Sequence, residues 1–286
     1  MANVTCSTPL RLPPPTAGCV ELAGPTVSGV ERQPLVDRAY LRDVAYGDSS
    51  KLRHRMSIYQ YRDVAGELRP WVLGRVDWPR GARVLDVGCG PGHYLALLAK
   101  TESVAAVGVD LSHGMCLEAR AHAPVVTADA ASLPFEAATF ERVLAPHMLY
   151  QCPDIEAALA ELKRVLRAHG TLLAVVNSVD HMIELRDVLR AVTGADGLRV
   201  SDRITLENGA EIAATAFDEV TVDRFRSVLH VPGPAPVLAY IQSMAGWAGD
   251  LDPNDAAIEI ERRVGSIIEA EGSFRIHTCA GVLVCS

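Results

Sequence analysis

The stretch Val84-Leu85-Asp86-Val87-Gly88-Cys89-Gly90-Pro91-Gly92 joins a short apolar run to three closely spaced glycines. Such a run is typical of a buried strand, and the residues that follow it have helical spacing. Glycine has no Cβ, so this turn lets the backbone approach a ligand closely. The spacing G-x-G-x-G is one residue short of the dinucleotide fingerprint G-x-G-x-x-G, and glycine-rich turns also occur for purely structural reasons.

Short β-branched runs alternate with helical stretches after this turn. Strands are predicted at 83–87, 104–109, 125–128, 142–144 and 171–176, with further strand-like stretches from Phe217 and at 281–284. This alternation indicates βαβ units, and therefore an α/β fold with a mostly parallel sheet and helices on both faces. The clearest helix is predicted over 154–168, with Asp154 as its N-cap and Gly170 as its stop.

Changes in composition divide the chain into segments. Residues 1–34 include three consecutive prolines and show no period, which predicts a flexible leader. Residues 35–80 are helix-like and aromatic, and we interpret them as an N-terminal helical lid. Residues 81–231 form the predicted α/β core, 232–272 a helical insertion, and 273–286 the final strand of the core.

Composition also bears on location and partners. The net charge of −8, with 35 acidic and 27 basic residues, disfavours a protein that binds nucleic acid by neutralising phosphates. The seven cysteines form no CxxC pair, which favours a reducing, cytoplasmic environment. We find no secretory signal and no apolar run near the roughly 20 residues that a membrane span needs. No histidines or carboxylates show metal-ligand spacing, so no metal is expected.

Two acidic residues end the strands that follow the glycine turn. Asp110 ends the second strand, where a carboxylate in doubly wound folds accepts hydrogen bonds from ribose hydroxyls. The alternative is that Asp110 caps the next helix. Asp129 ends the third strand, where it could face an adenine amino group or simply form a turn.

In this order, the elements resemble those of the class I S-adenosylmethionine-dependent methyltransferases, particularly their small-molecule branch. The likeness covers about residues 35–177 and rests on LDVGCGPG at 85–92, GVDLS at 108–112, ADA at 128–130, FERVL at 140–144 and HMLY at 147–150. It implies a doubly wound, Rossmann-like sheet of seven strands. It also implies S-adenosylmethionine as cofactor and S-adenosylhomocysteine as product.

The resemblance implies positions for the methionine part of the cofactor. The backbone of Gly88 and Gly90 would hold it, and Asp86 would bond its ammonium directly or through water. The carbonyl of Ala145, just past the fourth strand, would meet the same ammonium. Arg55 on the lid would pair with the cofactor carboxylate, a bidentate geometry that suits a guanidinium.

The resemblance implies positions for the nucleoside as well. Asp110 would bind the ribose hydroxyls, and Leu111 would lie against the adenine. The carboxylate of Asp129 and the backbone of Ala130 would contact the adenine edge.

His147 is the best candidate for a general base, because it follows the fourth strand and its side chain titrates near neutral pH. Tyr150 is its nearest possible helper. The alternative is that this segment only packs the wall of the site. Tyr46, Tyr59 and Trp71 could cover an acceptor pocket or could pack the lid against the core.

We therefore expect in-line transfer of a methyl group to O, N or C of a small organic acceptor, with a natural-product or secondary-metabolite intermediate as the expected substrate. The expected protein is a monomer or homodimer that contacts neither membrane nor nucleic acid. An RNA base methyltransferase and a non-catalytic cofactor-binding module remain the alternatives. A nicotinamide oxidoreductase is disfavoured by the glycine spacing and leaves the ADA segment at 128–130 unexplained.

Overall fold

One seven-stranded sheet organises the protein. The structure is a computed structural model that describes residues 36–63, 67–101, 104–194, 202–244 and 251–286, so the predicted leader at 1–34 lies outside the described residues. The strands are β1 (Arg83–Val87), β2 (Ala105–Asp110), β3 (Val125–Thr127), β4 (Phe140–Pro146), β5 (Leu166–Asn177), β6 (Val220–Val231) and β7 (Phe274–Cys285). Their order across the sheet is β3-β2-β1-β4-β5-β7-β6.

Strands β1 to β5 are parallel, whereas β7 runs antiparallel between β5 and β6. The chain places β2 and β3 on one side of β1, and β4 and β5 on the other. The strand order thus reverses between β1 and β4, and ligands in open α/β sheets bind at the carboxyl ends beside such a point. The predicted α/β fold with a mostly parallel, doubly wound sheet of seven strands is confirmed.

Helices cover both faces of this sheet. They are α1 (Arg38–Tyr40), α2 (Ser50–Ser57), α3 (Leu68–Leu73), α4 (His93–Leu98), α5 (His113–Ala119), α6 (Ile155–Val165), α7 (Ile183–Thr193), α8 (Gly209–Ala213), α9 (Pro234–Gln242) and α10 (Pro253–Glu271). Successive strand residues point to opposite faces. Leu85 therefore packs in the core cluster that contains α6, while Val84 packs in the cluster with α3 and α4.

Helix α6 begins as predicted but ends earlier. The Asp154 side chain accepts a hydrogen bond from the Ala157 amide at 2.9 Å, which confirms it as the N-cap. The predicted stop at Gly170 is wrong, since the chain leaves the helix after Val165 and enters β5 at Leu166, paired with Phe140. Pairing with the sheet therefore overrides the helical period of the sequence at this point.

A second helical layer covers the outer ends of β6 and β7. Helices α7, α9 and α10 share one buried cluster with residues of these two strands, such as Leu229 and Ile276. Ile58, from the segment after α2, is fully buried in the same cluster. The N-terminal helices and the α9–α10 segment consequently pack against each other above the sheet. No helix in the described ranges is both long and apolar enough to cross a membrane.

Candidate active site

A cavity of about 590 Å³ lies at the carboxyl ends of the central strands. Its wall includes Gly88 after β1, Asp110 at the end of β2, Ala130 after β3 and His147 after β4. Arg55 of α2 borders it from the N-terminal helices. The cavity therefore lies where the reversal of strand order predicts a ligand site.

The glycine turn provides a wall of bare backbone. Gly88 has a φ of +70° and Gly90 a φ of +54°, values that a residue with a Cβ rarely adopts. The amides of Gly88 and Cys89 both donate to the Val109 carbonyl, at 2.8 and 3.0 Å, which ties the turn to β2. A Cβ added to Gly88 would lie 2.7 Å from the Cβ of Met148. The fold thus requires glycine at position 88.

Asp110 links this turn to the next helix. Its two carboxylate oxygens accept hydrogen bonds from the amides of Gly90 and Ser112, each at 2.8 Å. The N-cap of α5 is Ser112, whose hydroxyl accepts from the Met115 amide, so the capping alternative for Asp110 is wrong. Burial raises the pKa of Asp110, whereas the backbone donors lower it. Each oxygen has a further lone pair for a hydroxyl donor such as a ribose.

Asp86 lies behind the turn and does not line the cavity. The side chain is fully buried in β1, and neither carboxylate oxygen has a hydrogen-bond partner. Burial, and then the neighbouring Asp110 carboxylate, raise the pKa of Asp86 to about 8. A buried carboxylate without donors is unfavourable, so a cation held at the glycine turn would stabilise its ionised form. An ammonium group is a cation of this kind.

Cofactor binding should therefore release a proton from Asp86 at pH 7. Because the pKa is raised in the free protein, the affinity for S-adenosylhomocysteine should increase with pH and level off above about 8. Calorimetric titration in buffers of different ionisation enthalpy measures the release. Asp86→Asn should bind more weakly and without proton exchange. Wild-type binding with no proton exchange at pH 7 would contradict this prediction.

The residues predicted to contact adenine lie together on the cavity wall. Leu111, Asp129 and Ala130 all line it. Asp129 forms an ion pair with Arg38 of α1, and its other oxygen accepts from the Ala131 amide at 2.9 Å. No motif in the sequence predicts this ion pair, which links the N-terminal helices to the core. Contact of these residues with adenine stays a prediction.

Two residues predicted to contact the methionine part of the cofactor, Ala145 and Arg55, have neighbours that the sequence did not predict. Ala145 is not past the fourth strand but within β4, where its side chain is fully buried, and the next residue, Pro146, lines the cavity instead. The Arg55 Nη1 donates to the Ser243 carbonyl at 3.0 Å, and its guanidinium lies over the Tyr46 ring. Its Nη2 is buried without a partner, so a donor remains for a carboxylate.

His147 and Tyr150 both line the cavity. The backbone of His147 has a φ of +55°, and its amide donates to the Val175 carbonyl at 2.9 Å, so β5 holds this turn in place. Burial, and then the charge of Arg69, lower the pKa of His147 to about 4. The imidazole is therefore neutral at pH 7, as a general base requires. Burial raises the pKa of Tyr150, which keeps its hydroxyl protonated.

Of the other three aromatic candidates, two line the cavity and one does not. Tyr46 and Tyr59 line the cavity, and the Tyr59 hydroxyl lies 3.1 Å from Nε2 of His181, which lines it too. Trp71 does not; it packs on Phe225, with 5.4 Å between ring centroids. Sequence reasoning missed several polar lining residues, which are Arg62, Arg69, Tyr94, Asn177 and Tyr240. Arg62 and Arg69 belong to the predicted lid and Asn177 ends β5, whereas the two tyrosines lie in α4 and α9. These positions in the sequence do not show which way the side chains face.

No group of three or more histidine, cysteine or carboxylate side chains suited to a metal ion occurs among the described residues. The five described cysteines are all free thiols. Asp110 on the cavity wall and Asp86 behind it fit an organic ligand that has hydroxyls near the first and a cation near the second.

Comparison with known proteins finds methyltransferases. Residues 85–174 match the family described as a methyltransferase domain. The chain is 31% identical over 206 residues to a trans-aconitate 2-methyltransferase of Methylobacterium nodulans, with coverage of 66% of this chain and 78% of that protein. It is 33% identical over 124 residues to a malonyl-[acyl-carrier protein] O-methyltransferase of Enterobacter lignolyticus, with coverage of 42% and 49%.

The chain spans about half the length of the malonyl-[acyl-carrier protein] relatives, between 39% and 55%. The fold also matches the structure of Haemonchus contortus phosphoethanolamine N-methyltransferase 2 in complex with S-adenosylhomocysteine, with a TM-score of 0.54 and 18% identity over 88% of this chain and 60% of that one. At this identity the likeness shows the fold alone. From the glycine turn, Asp110 and the match to the trans-aconitate enzyme, the chain belongs to the class I S-adenosylmethionine-dependent methyltransferases.

Proposed function

We propose that this protein transfers a methyl group from S-adenosylmethionine to an oxygen of a small organic acceptor enclosed in the cavity. The observation that carries the proposal is that one cavity contains the glycine turn, Asp110 and His147 together. Oxygen is favoured over nitrogen or carbon because the malonyl-[acyl-carrier protein] relatives are O-methyltransferases by name. The proposal includes an intermediate of natural-product metabolism as the acceptor. It also includes a reducing cytoplasm as the location, which agrees with the free thiols.

The cofactor supplies a methyl group that its sulfonium has already activated. The protein then has to orient the acceptor and exclude water, which can lower a barrier by roughly 7–11 kcal/mol. The N-terminal helices and the α9–α10 segment, our proposed lid and insertion, enclose the cavity through Arg55 and Tyr240. His147 would take the proton of a hydroxyl acceptor, whereas a carboxylate acceptor has no proton to lose.

The test offers labelled S-adenosylmethionine and the purified protein separately to a small-molecule extract and to total RNA. Label in small molecules is the expected result. Label in RNA alone would overturn the proposal in favour of an RNA methyltransferase. Cofactor binding without transfer to either would favour a non-catalytic module. The same preparation, run on a sizing column, decides between monomer and homodimer.

Once the acceptor is known, the pH profile tests His147 as the base. The base works only when neutral, and its pKa is lowered to about 4, so kcat/KM should be flat above about pH 5 and fall below pH 4. For an acceptor that reacts through a hydroxyl, His147→Gln should lower kcat by about 10²- to 10⁴-fold and remove this acid limb. His230→Gln, at an exposed position outside the cavity, is the matched control. An acid limb that persists in His147→Gln would eliminate His147 as the base.

A further inference from the structure

The cavity contains more positive charge than the cofactor can neutralise. Arg55, Arg62 and Arg69 line it, and none of the three has a carboxylate oxygen within 4 Å in the described part of the chain. Arg38, which also lines it, differs because it is paired with Asp129. Three guanidinium groups thus face the cavity without an acidic partner.

Arg69 has the most unusual surroundings of the three arginines. It lies on α3, is partly buried and has no hydrogen bond to any described residue. Burial lowers its pKa, while Tyr94 and the exposed carboxylate of Glu67 raise it. The hydroxyl of Tyr94, a side chain only 5% exposed on the cavity wall, has no hydrogen-bond partner either. A buried hydroxyl without a partner is unfavourable, and a ligand that accepts hydrogen bonds from both this hydroxyl and the partly buried guanidinium would satisfy it.

The guanidinium of Arg62 is held in place, but only one of its nitrogens has a hydrogen-bond partner among the described residues. Its Nε donates to the Ser227 hydroxyl at 3.1 Å, and its guanidinium lies 5.1 Å and 5.4 Å from the ring centroids of Tyr59 and Phe225. Its Nη atoms make no hydrogen bond within the described ranges. Because the two rings fix the plane of the guanidinium, it is preorganised for an acceptor of two hydrogen bonds.

The charges of the cofactor do not account for these groups. S-adenosylmethionine has one carboxylate, one ammonium and one sulfonium, so it adds a net positive charge to the cavity. Arg55, whose Nη2 has no partner among the residues that the structure describes, can pair with the single carboxylate of the cofactor. Arg62 and Arg69 then remain, and burying them unpaired beside a cationic ligand is costly.

We propose that the methyl acceptor is an organic acid whose carboxylate is bound by Arg69 and Arg62, with the Tyr94 hydroxyl as a further donor. This inference rests on the proposed function and specifies the class of its substrate. Arg62, Arg69 and Tyr94 line the same cavity as His147, which follows β4. The bound acid would therefore share the cavity with the candidate base.

Binding of matched probes tests the assignment directly. The protein, saturated with S-adenosylhomocysteine, is titrated with benzoate, trans-cinnamate, succinate and trans-aconitate, each paired with its neutral amide. At least one acid should bind 10- to 100-fold more tightly than its amide, in line with a charge-assisted hydrogen bond of about 1.5–3 kcal/mol. Arg69→Gln and Arg62→Gln should remove that preference, whereas the exposed surface control Arg262→Gln should retain it. If no acid binds more tightly than its amide, the proposal is overturned.

Two further readouts separate this inference from the proposed function. Affinity for S-adenosylhomocysteine should change less than threefold in Arg69→Gln, and a loss as large as that of the acid would instead assign Arg69 to the cofactor. The small-molecule extract is also divided by anion exchange before labelled S-adenosylmethionine is added. Label acquired only by the anionic fraction supports an acid acceptor. Label acquired only by the neutral or cationic fraction overturns this inference but leaves methyl transfer intact.

Discussion

Gly88→Ala should abolish binding of S-adenosylhomocysteine and destabilise the protein. The new Cβ would lie 2.7 and 2.8 Å from Cβ and Cγ of Met148, atoms near the backbone that cannot easily move away. The residue would also keep a φ of +70°, which costs a residue other than glycine roughly 1–2 kcal/mol. Together with overpacking of about 1–3 kcal/mol, the free energy of unfolding should fall by several kcal/mol. Calorimetric titration and thermal unfolding measure the two effects.

Two further glycine variants make this prediction specific. Gly90→Ala has a φ of +54° but meets only the Leu52 Cδ2 at 3.8 Å, so it should fold and still lose affinity, since its Cβ intrudes on the ligand space. Gly265→Ala, in α10, meets nothing within 4 Å and should stabilise the protein by about 0.5–1 kcal/mol with unchanged affinity. Folded Gly88→Ala and Gly90→Ala proteins that bind within threefold of wild type would exclude the glycine turn as the cofactor site.

Asp110→Ala should weaken binding of S-adenosylhomocysteine by about 100-fold or more. The carboxylate accepts from the amides of Gly90 and Ser112, so its removal releases the glycine turn as well as the predicted ribose contact. Charge-assisted hydrogen bonds of this kind contribute about 1.5–3 kcal/mol each. Asp110→Asn keeps one acceptor oxygen and should lie between alanine and wild type. Equilibrium titration of wild type, Asp110→Asn and Asp110→Ala with S-adenosylhomocysteine measures this order of affinities.

Asp154→Ala is the matched control for Asp110→Ala. Asp154 likewise accepts a hydrogen bond from a helix amide, that of Ala157 at 2.9 Å, but it does not line the cavity. Loss of this cap should lower the free energy of unfolding by about 1 kcal/mol and leave cofactor affinity unchanged. If Asp110→Ala loses no more affinity than Asp154→Ala, the cofactor role of Asp110 is refuted.

Residues directly after strands were the ones that the sequence could locate. Gly88, Asp110, Ala130 and His147 follow or end predicted parallel strands, and the carboxyl ends of such strands share one edge of the sheet. All four line the cavity. Ala145 was misplaced by a small error in the length of β4, because a buried apolar strand gives no clear end signal.

Groups that meet across the fold could not be located in this way. Arg55 bonds the carbonyl of Ser243, which is 188 positions away in the chain, and Arg38 pairs with Asp129. These contacts depend on how the N-terminal helices pack on the sheet and on α9. Period and propensity describe one element at a time, and they do not show which side of a helix faces another element.

The sequence by itself determined the α/β sheet, the glycine turn and the acids at the strand ends, since each depends on local backbone geometry and strand period. Only the tertiary structure decided that Arg62, Arg69 and Tyr94 face the same cavity as His147. Their orientation is set by packing against distant elements. That packing leaves the Tyr94 hydroxyl buried without a hydrogen-bond partner, and it leaves donors of Arg62 and Arg69 that no described residue accepts.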